Sequence, residues 1–230
     1  MVKLFEGLDI FKLQWHITAK CQMKCKHCYL YEDETYKKEI SNELDFKTCI
    51  NIMDDFVEFC NHLKIRPFIS FTGGDPLLRE DFFDLLYEAH DRGIEIEILG
   101  NSFCVNDEIA FKLKSLGVNS YQLSLDGMKE IHDSLRVAGS FDDTIRAIKV
   151  LKNANIKTII SMTLSKQNAQ DILKLMEYVG DLGVDVFTFA RFSPVGEGRL
   201  HKDWLMEPFE YRSLLIEIDK KIDELQKKGD

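Results

Sequence analysis

Apolar positions along the chain follow two spacings, one typical of strands and one typical of helices. Between residues 12 and 18, the apolar side chains Leu13, Trp15 and Ile17 occupy every second position, which predicts a strand. Between residues 44 and 63, apolar side chains recur every three or four positions, which predicts an amphipathic helix. Five more pairs of this kind follow. Strands are predicted over residues 67–71, 94–99, 118–125, 156–164 and 184–190, and helices over residues 81–91, 107–116, 142–154, 169–182 and 208–227.

Six strand–helix units in a row, spaced about 30 residues apart, are typical of repeated βαβ elements. Such units form a parallel sheet with helices on its outside. Eight units would close a barrel, so six predict an α/β fold of the partial, TIM-like (β/α)6 open-barrel type. A doubly wound open sheet is the alternative that the pattern leaves open, and in both folds function lies at the carboxyl ends of the strands.

The units follow one another without a Gly/Ser-rich linker, so we expect a single domain over residues 1–230. The barrel is predicted to occupy about residues 11–205, and a C-terminal helix about residues 208–228.

Charge and composition narrow the range of functions. The net charge is −9 and no run of Lys or Arg is present, which disfavours nucleic-acid binding. No segment approaches the ~20 apolar residues of a membrane span. The first ten residues carry Lys3, Glu6 and Asp9, unlike a signal peptide. We therefore expect a cytoplasmic protein whose six cysteines are reduced and serve as ligands or core residues.

Three cysteines, Cys21, Cys25 and Cys28, follow the first predicted strand within eight residues. Thiolates are soft ligands, and such close spacing allows one loop to wrap an iron–sulfur cluster. Clusters usually have four Cys ligands, so three leave one iron open to a cofactor or substrate. A zinc site completed by a His or by Cys49 is the alternative, although zinc sites more often show two paired Cys-x2-Cys segments.

The Cys-x3-Cys-x2-Cys spacing after a first strand resembles the signature of the radical SAM superfamily, and the resemblance covers residues 13–198. It implies a partial (β/α)6 barrel that holds a [4Fe–4S] cluster whose open iron binds S-adenosyl-L-methionine (SAM). The reduced cluster then gives one electron to the sulfonium, and the resulting 5′-deoxyadenosyl radical takes a hydrogen atom from the substrate. The resemblance also places His27 where the family has an aromatic residue near the adenine.

Further loops resemble SAM-binding motifs of this superfamily. The second strand ends in Gly73, Gly74, Asp75 and Pro76, similar to the Gly-Gly-Glu-Pro motif that holds the SAM amino group, with Asp in place of Glu. The fourth strand ends in a Ser-x-Asp-Gly segment that contains Ser124 and Asp126, followed by Arg136. By resemblance, Ser124 contacts the methionyl or ribose part of SAM, and Arg136 binds its carboxylate.

Two other strand ends supply predicted cofactor ligands. Asn101 follows the third strand, and its side chain is predicted to hydrogen-bond SAM, with turn capping as the alternative. Arg191 ends the sixth strand ahead of a Pro-x-Gly segment similar to those of peptide- and haem-maturing relatives, and is predicted to face SAM or the substrate. The remaining cysteines, Cys49, Cys60 and Cys104, are interpreted as small hydrophobic residues, although Cys104 follows the third strand.

The loop sequences favour the branch with a SPASM or twitch extension, whose members modify peptides, mature sulfatases or modify haem. No cysteine follows residue 198, so the auxiliary clusters of that extension are not encoded here, and a truncated extension beyond residue 230 is one interpretation. We expect a peptide or protein substrate and an electron donor such as flavodoxin or ferredoxin. The alternatives are a radical SAM enzyme of haem or other cofactor biosynthesis, and a non-catalytic iron–sulfur or zinc protein.

Overall fold

A computed structural model describes residues 9–30 and 33–229 of the protein. Six strands form one sheet in which each strand lies beside its neighbour in sequence. They are β1 (Ile10–Thr18), β2 (Arg66–Gly73), β3 (Glu95–Leu99), β4 (Val118–Ser124), β5 (Lys157–Leu164) and β6 (Val186–Arg191). All five pairings are parallel. Because a strand order that follows the chain contains no switch point, the doubly wound alternative is excluded and the curled half-barrel is confirmed.

Eight α-helices connect or follow the strands in the described part of the chain. They are α1 (Asp33–Ser41), α2 (Phe46–Leu63), α3 (Phe82–Asp91), α4 (Asp107–Ser115), α5 (Lys129–Leu135), α6 (Ser140–Asn153), α7 (Ile172–Asp181) and α8 (Pro208–Gly229). Every predicted strand and helix is present, with bounds that differ by three residues at most. The short helices α1 and α5, and 3₁₀ turns at Pro76–Leu78 and Gly196–Trp204, were not predicted. The helix predicted from residue 169 begins with a 3₁₀ turn at Ala169–Asp171.

The hydrophobic core lies between the sheet and the helices. Outward-facing strand residues such as Ile69, Phe71, Ile98 and Tyr121 are fully buried there. Helix α2 turns its apolar face to this layer, and Asp45 caps its start by accepting a 2.7 Å hydrogen bond from the Thr48 amide. None of the described helices has the length and apolar character needed to cross a membrane.

The opposite, concave face of the sheet is polar. Ser70, Glu97 and Ser120 lie at one level of neighbouring strands. Glu97 is 5% exposed and accepts hydrogen bonds from Ser70 Oγ at 2.5 Å and from Lys12 Nζ at 2.6 Å. Parallel strands covered on both faces usually read as continuous apolar runs. The polar side chains of this inner wall therefore satisfy one another inside the half-barrel.

Candidate cofactor site

The loop that follows β1 carries Cys21, Cys25 and Cys28 as partly buried thiols at the carboxyl end of the sheet. A turn between Cys28 N and Cys25 O (3.1 Å) brings the last two together. The sulfur of Cys21 accepts a hydrogen bond from the Met23 amide at 3.4 Å. The loop thus presents all three predicted ligands at the edge of the sheet where parallel-sheet proteins bind their ligands.

Burial disfavours the ionised form of the thiols in the metal-free protein. Burial raises the pKa of Cys21 to about 11, and burial likewise raises the pKa of Cys25 against the opposing effect of Arg136. A bound metal centre reverses this penalty because it stabilises the thiolates directly. Within residues 9–30 and 33–229, no three His, Cys, Asp or Glu side chains converge on a point that could hold one metal ion. Three soft thiolates on one loop fit an iron–sulfur cluster, in which each thiolate binds a different iron.

The Gly-Gly segment at the end of β2 supports the base of the cysteine loop. The amide of Gly74 donates to Thr18 O at 2.9 Å, and the amide of Asp75 donates to Lys20 O at 2.8 Å. A Cβ at position 74 would lie 2.2 Å from Lys20 O, so only glycine permits this approach. In this structure the motif therefore fixes the position from which the cysteine loop starts.

Asp75 is fully buried beside the Cys21 end of the loop. Its carboxylate accepts hydrogen bonds from Gln22 Nε2 and from the Leu77 amide, each at 3.3 Å. Burial raises the pKa of Asp75 to about 6, because these donors offset only part of the desolvation. Pro76 follows as the first residue of a 3₁₀ turn.

Asn101 joins this group through Gln22, which the sequence reasoning did not single out. Gln22 Nε2 lies 3.3 Å from Asn101 Oδ1, and Asn101 Nδ2 lies 3.9 Å from Cys21 Sγ. Gln22 Nε2 also lies 3.4 Å from the sulfur of Cys104. Cys104 therefore borders the site rather than the core, whereas Cys49 and Cys60 are fully buried core residues as predicted. The position of Gln22 between two loop cysteines was the available signal.

On the other side of the loop, Asp126 binds Arg136 and His27. Its Oδ2 accepts from Arg136 Nε at 2.5 Å and lies 3.2 Å from His27 Nε2, and its Oδ1 accepts from the Thr163 amide at 2.8 Å. Burial alone would raise the pKa of Asp126, but Arg136 and His27 outweigh burial and hold it well below its usual range. Arg136 Nη1 lies 3.6 Å from Cys25 Sγ. The structure thus brings Asp126, Arg136 and His27 together against the cysteine loop.

The other two predicted ligands differ in their placement. Ser124 ends β4 beside Ser161 of β5, on the same rim as the cysteine loop. Arg191 pairs with Leu164, a fully buried core residue, so it lies on the outer face of the sheet. Its guanidinium donates to Met206 O at 2.7 Å and lies 5.3 Å from the ring centre of Tyr211. The structure does not bring Arg191 to the cysteines, and we leave it out of the proposed site.

The segment after β6 returns to the cysteine loop. The amide of Glu197 donates to Cys28 O at 3.0 Å. Gly196 has φ +55°, and a Cβ there would lie 2.5 Å from both Cys28 O and Tyr29 O. The Pro-x-Gly segment noted in the sequence therefore packs its glycine directly on the loop, a role that spacing along the chain did not indicate.

The family to which the chain belongs is shown by comparison with known proteins. Residues 15–179 match the radical SAM superfamily. The chain is 30% identical over 80% of its length to Fe-coproporphyrin III synthase of Methanosarcina barkeri, covering 44% of that protein. It is also 30% identical over 78% of its length to the sporulation killing factor maturation protein SkfB of Bacillus subtilis, covering 42% of it. The chain therefore spans about half the length of these relatives.

Among solved structures, Streptococcus suis SuiB bound to its precursor peptide SuiA superposes with a TM-score of 0.73 at 20% sequence identity. That match covers 94% of this chain and 46% of SuiB. At this level of identity, the likeness supports the fold.

Proposed function

This chain belongs to the radical SAM superfamily, and from that premise we propose that it holds a [4Fe–4S] cluster on Cys21, Cys25 and Cys28 and cleaves SAM to modify a peptide or protein. The observation that carries the proposal is the geometry of the three thiols. They share one loop at the carboxyl edge of a half-barrel, and a turn in that loop brings Cys25 and Cys28 together. When bound, the cluster supplies the electron that cleaves SAM to methionine and a hydrogen-abstracting 5′-deoxyadenosyl group.

In the proposed site, the chain's own residues bind and orient SAM. The SAM ammonium is assigned to Asp75, because this buried carboxylate has only neutral hydrogen-bond donors in the described structure. Asn101 reaches the same group through Gln22, and Ser124 lies on the same rim. Arg136 is assigned to the SAM carboxylate, because a guanidinium fork pairs well with a carboxylate.

The side chains on the inner wall of the half-barrel favour a substrate that carries few carboxylates. Uncharged side chains lie on this face, because strand residues alternate between the two faces and these share the face of Ser70 and Ser120. They include Gln14, Gln122, Ser161 and Thr188. The inner cation Lys12 is already paired with Glu97 at 2.6 Å. Neutral donors and acceptors suit a peptide backbone, whereas the carboxylates of a porphyrin need cationic partners. We therefore place a peptide substrate first.

Modification of a haem precursor is the second candidate, and one specific observation favours it. The chain is as similar to an Fe-coproporphyrin III synthase as to a peptide-maturation protein, at 30% identity in each case. The two candidates share the cluster and SAM, so they differ only in which substrate accelerates SAM cleavage.

The first experiment tests SAM cleavage. The protein is reconstituted with iron and sulfide without oxygen, reduced with dithionite and incubated with SAM, and 5′-deoxyadenosine is measured by chromatography. The proposal expects product from the wild type and none from Cys25→Ala. A protein that binds zinc tightly and takes up no cluster would contradict it.

Substrate class is tested with the same readout. Synthetic cysteine-containing peptides and iron coproporphyrin are added separately, and mass spectrometry follows each for loss of hydrogen or mass. Faster 5′-deoxyadenosine formation with a modified peptide supports the first candidate. The same response with the porphyrin alone would reject it in favour of the second. Exchange of dithionite for reduced flavodoxin or ferredoxin then tests the proposed electron donor.

A further inference from the structure

Asp126 has every polar group engaged within the protein. The side chain is fully buried, and both carboxylate oxygens accept hydrogen bonds, from Arg136 and His27 on one side and from the Thr163 amide on the other. Its main-chain amide donates to His132 Nδ1 at 3.0 Å, and its carbonyl accepts from Asn168 Nδ2 at 2.9 Å. These contacts fix the carboxylate firmly between β4, β5 and α5. They give it a structural task inside the protein.

The consequence of this fixation appears at Arg136. A guanidinium is a rigid planar fork, so holding its Nε fixes the direction of its other nitrogens. With Nε on Asp126, Nη1 lies 3.6 Å from Cys25 Sγ. Arg136 is 13% exposed in its side chain, so water screens this contact little. Asp126 therefore aims a cation at one of the three cluster cysteines.

His27 ties the same carboxylate to the loop itself. It stands between Cys25 and Cys28 in sequence, its side chain is 8% exposed, and its Nε2 lies 3.2 Å from Asp126 Oδ2. One carboxylate oxygen thus holds both the cation and the loop that carries the cation's target. The distance from the guanidinium to the sulfur is set by Asp126 rather than by the chance position of two mobile side chains.

We propose that Asp126 is a positioning residue that directs Arg136 to donate a hydrogen bond to the Cys25 thiolate and thereby raises the reduction potential of the cluster. The inference rests on the proposed function, since it requires the cluster on Cys21, Cys25 and Cys28. Hydrogen bonds to cluster sulfurs stabilise the reduced state, which carries the greater negative charge. This role is compatible with SAM binding, because the two contacts of Arg136 do not use Nη2.

The sign of the effect separates positioning from simple electrostatics. Asp126→Asn removes a negative charge near the cluster, and by Coulomb's law alone this raises the reduction potential. In the structure, however, N–H donors face the carboxylate from both sides. An amide at this position sets its NH2 group against one of those donors, so it cannot hold Arg136 and the Thr163 amide together. If Asp126 acts by positioning Arg136, the potential falls instead.

The test is an EPR-monitored redox titration of the anaerobically reconstituted full chain without SAM, so that altered SAM binding does not contribute. Asp126→Asn and Arg136→Gln are each expected to shift the midpoint to more negative potential by about 60 mV or more, a tenfold loss in the reduced-to-oxidised ratio for a one-electron couple. The matched control is Asp81→Asn, which breaks the pair with Arg79 (2.6 Å) and touches no cluster cysteine. Its midpoint is expected to match the wild type.

Each other outcome is decisive. An unchanged or more positive midpoint in Asp126→Asn, with the cluster intact, overturns the positioning role. If Asp126→Asn fails to fold, the test rests on Arg136→Gln. An unchanged midpoint potential in Arg136→Gln would show that Arg136 does not donate the proposed hydrogen bond to Cys25. A wild type that takes up no [4Fe–4S] cluster defeats the proposed function itself, and iron and sulfide analysis of the wild type identifies that case before any titration.

Discussion

Replacing Asp75 by Asn is expected to stabilise the cofactor-free protein at neutral pH. The carboxylate is fully buried, and its hydrogen bonds from Gln22 Nε2 and the Leu77 amide are long, at 3.3 Å each. Burial therefore outweighs hydrogen bonding and raises its pKa from 3.8 to about 6. Asn has nearly the same shape and carries no charge, so it removes the desolvation penalty and keeps an acceptor oxygen for the Leu77 amide. Its NH2 group then faces Gln22, whose own side-chain amide can turn over to present an oxygen, an adjustment that the donors around Asp126 cannot make.

The magnitude follows from the pKa change. A rise of about 2 units corresponds to about 3 kcal/mol of stability lost when the folded protein ionises this group. Below the unfolded value of 3.8 the group is protonated in both states and costs nothing. Between 3.8 and about 6 the folded state binds more protons than the unfolded state, so stability falls as pH rises. Above about 6 the full penalty remains.

The assay is urea unfolding of both apo proteins at several pH values. The free energy of unfolding of Asp75→Asn is expected to exceed that of the wild type by about 3 kcal/mol at pH 7, with the difference shrinking towards pH 4. Asp185→Asn is the control of opposite sign. Burial disfavours the charged form of Asp185, but its bonds from the Thr158 amide and hydroxyl, at 2.8 and 3.0 Å, prevail and lower its pKa. A difference for Asp75→Asn that does not change with pH, or a more stable wild type at pH 7, would refute the reasoning.

Two other changes test the loop and its ligands. In thermal unfolding, Gly74→Ala is expected to destabilise the fold by about 3 kcal/mol or more, because its Cβ would lie 2.2 Å from Lys20 O. The control is Gly180→Ala, at a helix position with nothing within 4 Å, which should stabilise the fold by about 0.5–1 kcal/mol. Cys104→Ala should retain the iron content of the reconstituted wild type, and Cys28→Ala should lose most of it; equal iron loss in both would make Cys104 a ligand.

The periodic elements could be predicted because their apolar residues repeat over many positions. Helix α2, with 18 residues, shows five helical turns of pattern, and its buried side chains, Cys49, Met53, Phe56 and Cys60, recur every three or four positions. Helix α5 has only seven residues, of which Ile131 and Leu135 are the apolar ones, so no period can be read from it. It forms because tertiary contacts hold it, including the bond between His132 Nδ1 and the Asp126 amide.

The sequence predicts which strand ends form the site, but it does not predict which of their side chains contact one another. Parallel strands bring their carboxyl ends to one edge, so the cysteine loop, Asp75 and Asp126 were expected to be neighbours. The choice of Asp126 as the partner of Arg136 depends on distances that no spacing encodes. Arg191 shows the limit most clearly, because a shift of one residue along a strand moves a side chain to the opposite face. Ala190, its neighbour, pairs with Thr163 and faces inward.

Asp75 and Asp126, the two buried carboxylates beside the cysteine loop, differ in how much each would gain from binding a cation. Both Asp75 and Asp126 are fully buried, so desolvation acts on both in the same direction. Asp126 meets the cation of Arg136 and its pKa is lowered, whereas Asp75 meets the neutral amides of Gln22, Leu77 and Asn101 and its pKa rises because burial outweighs them. A carboxylate already paired with a cation gains little from a second one. The unpaired Asp75 gains most from a cation, and the SAM ammonium is one. A charged hydrogen bond of this kind contributes about 1.5–3 kcal/mol. Asp75→Asn, which is expected to stabilise the apo protein, should therefore weaken SAM binding by about tenfold or more. Equilibrium titration of the reconstituted variant with SAM measures this. An affinity equal to that of the wild type would show that Asp75 does not bind the SAM ammonium.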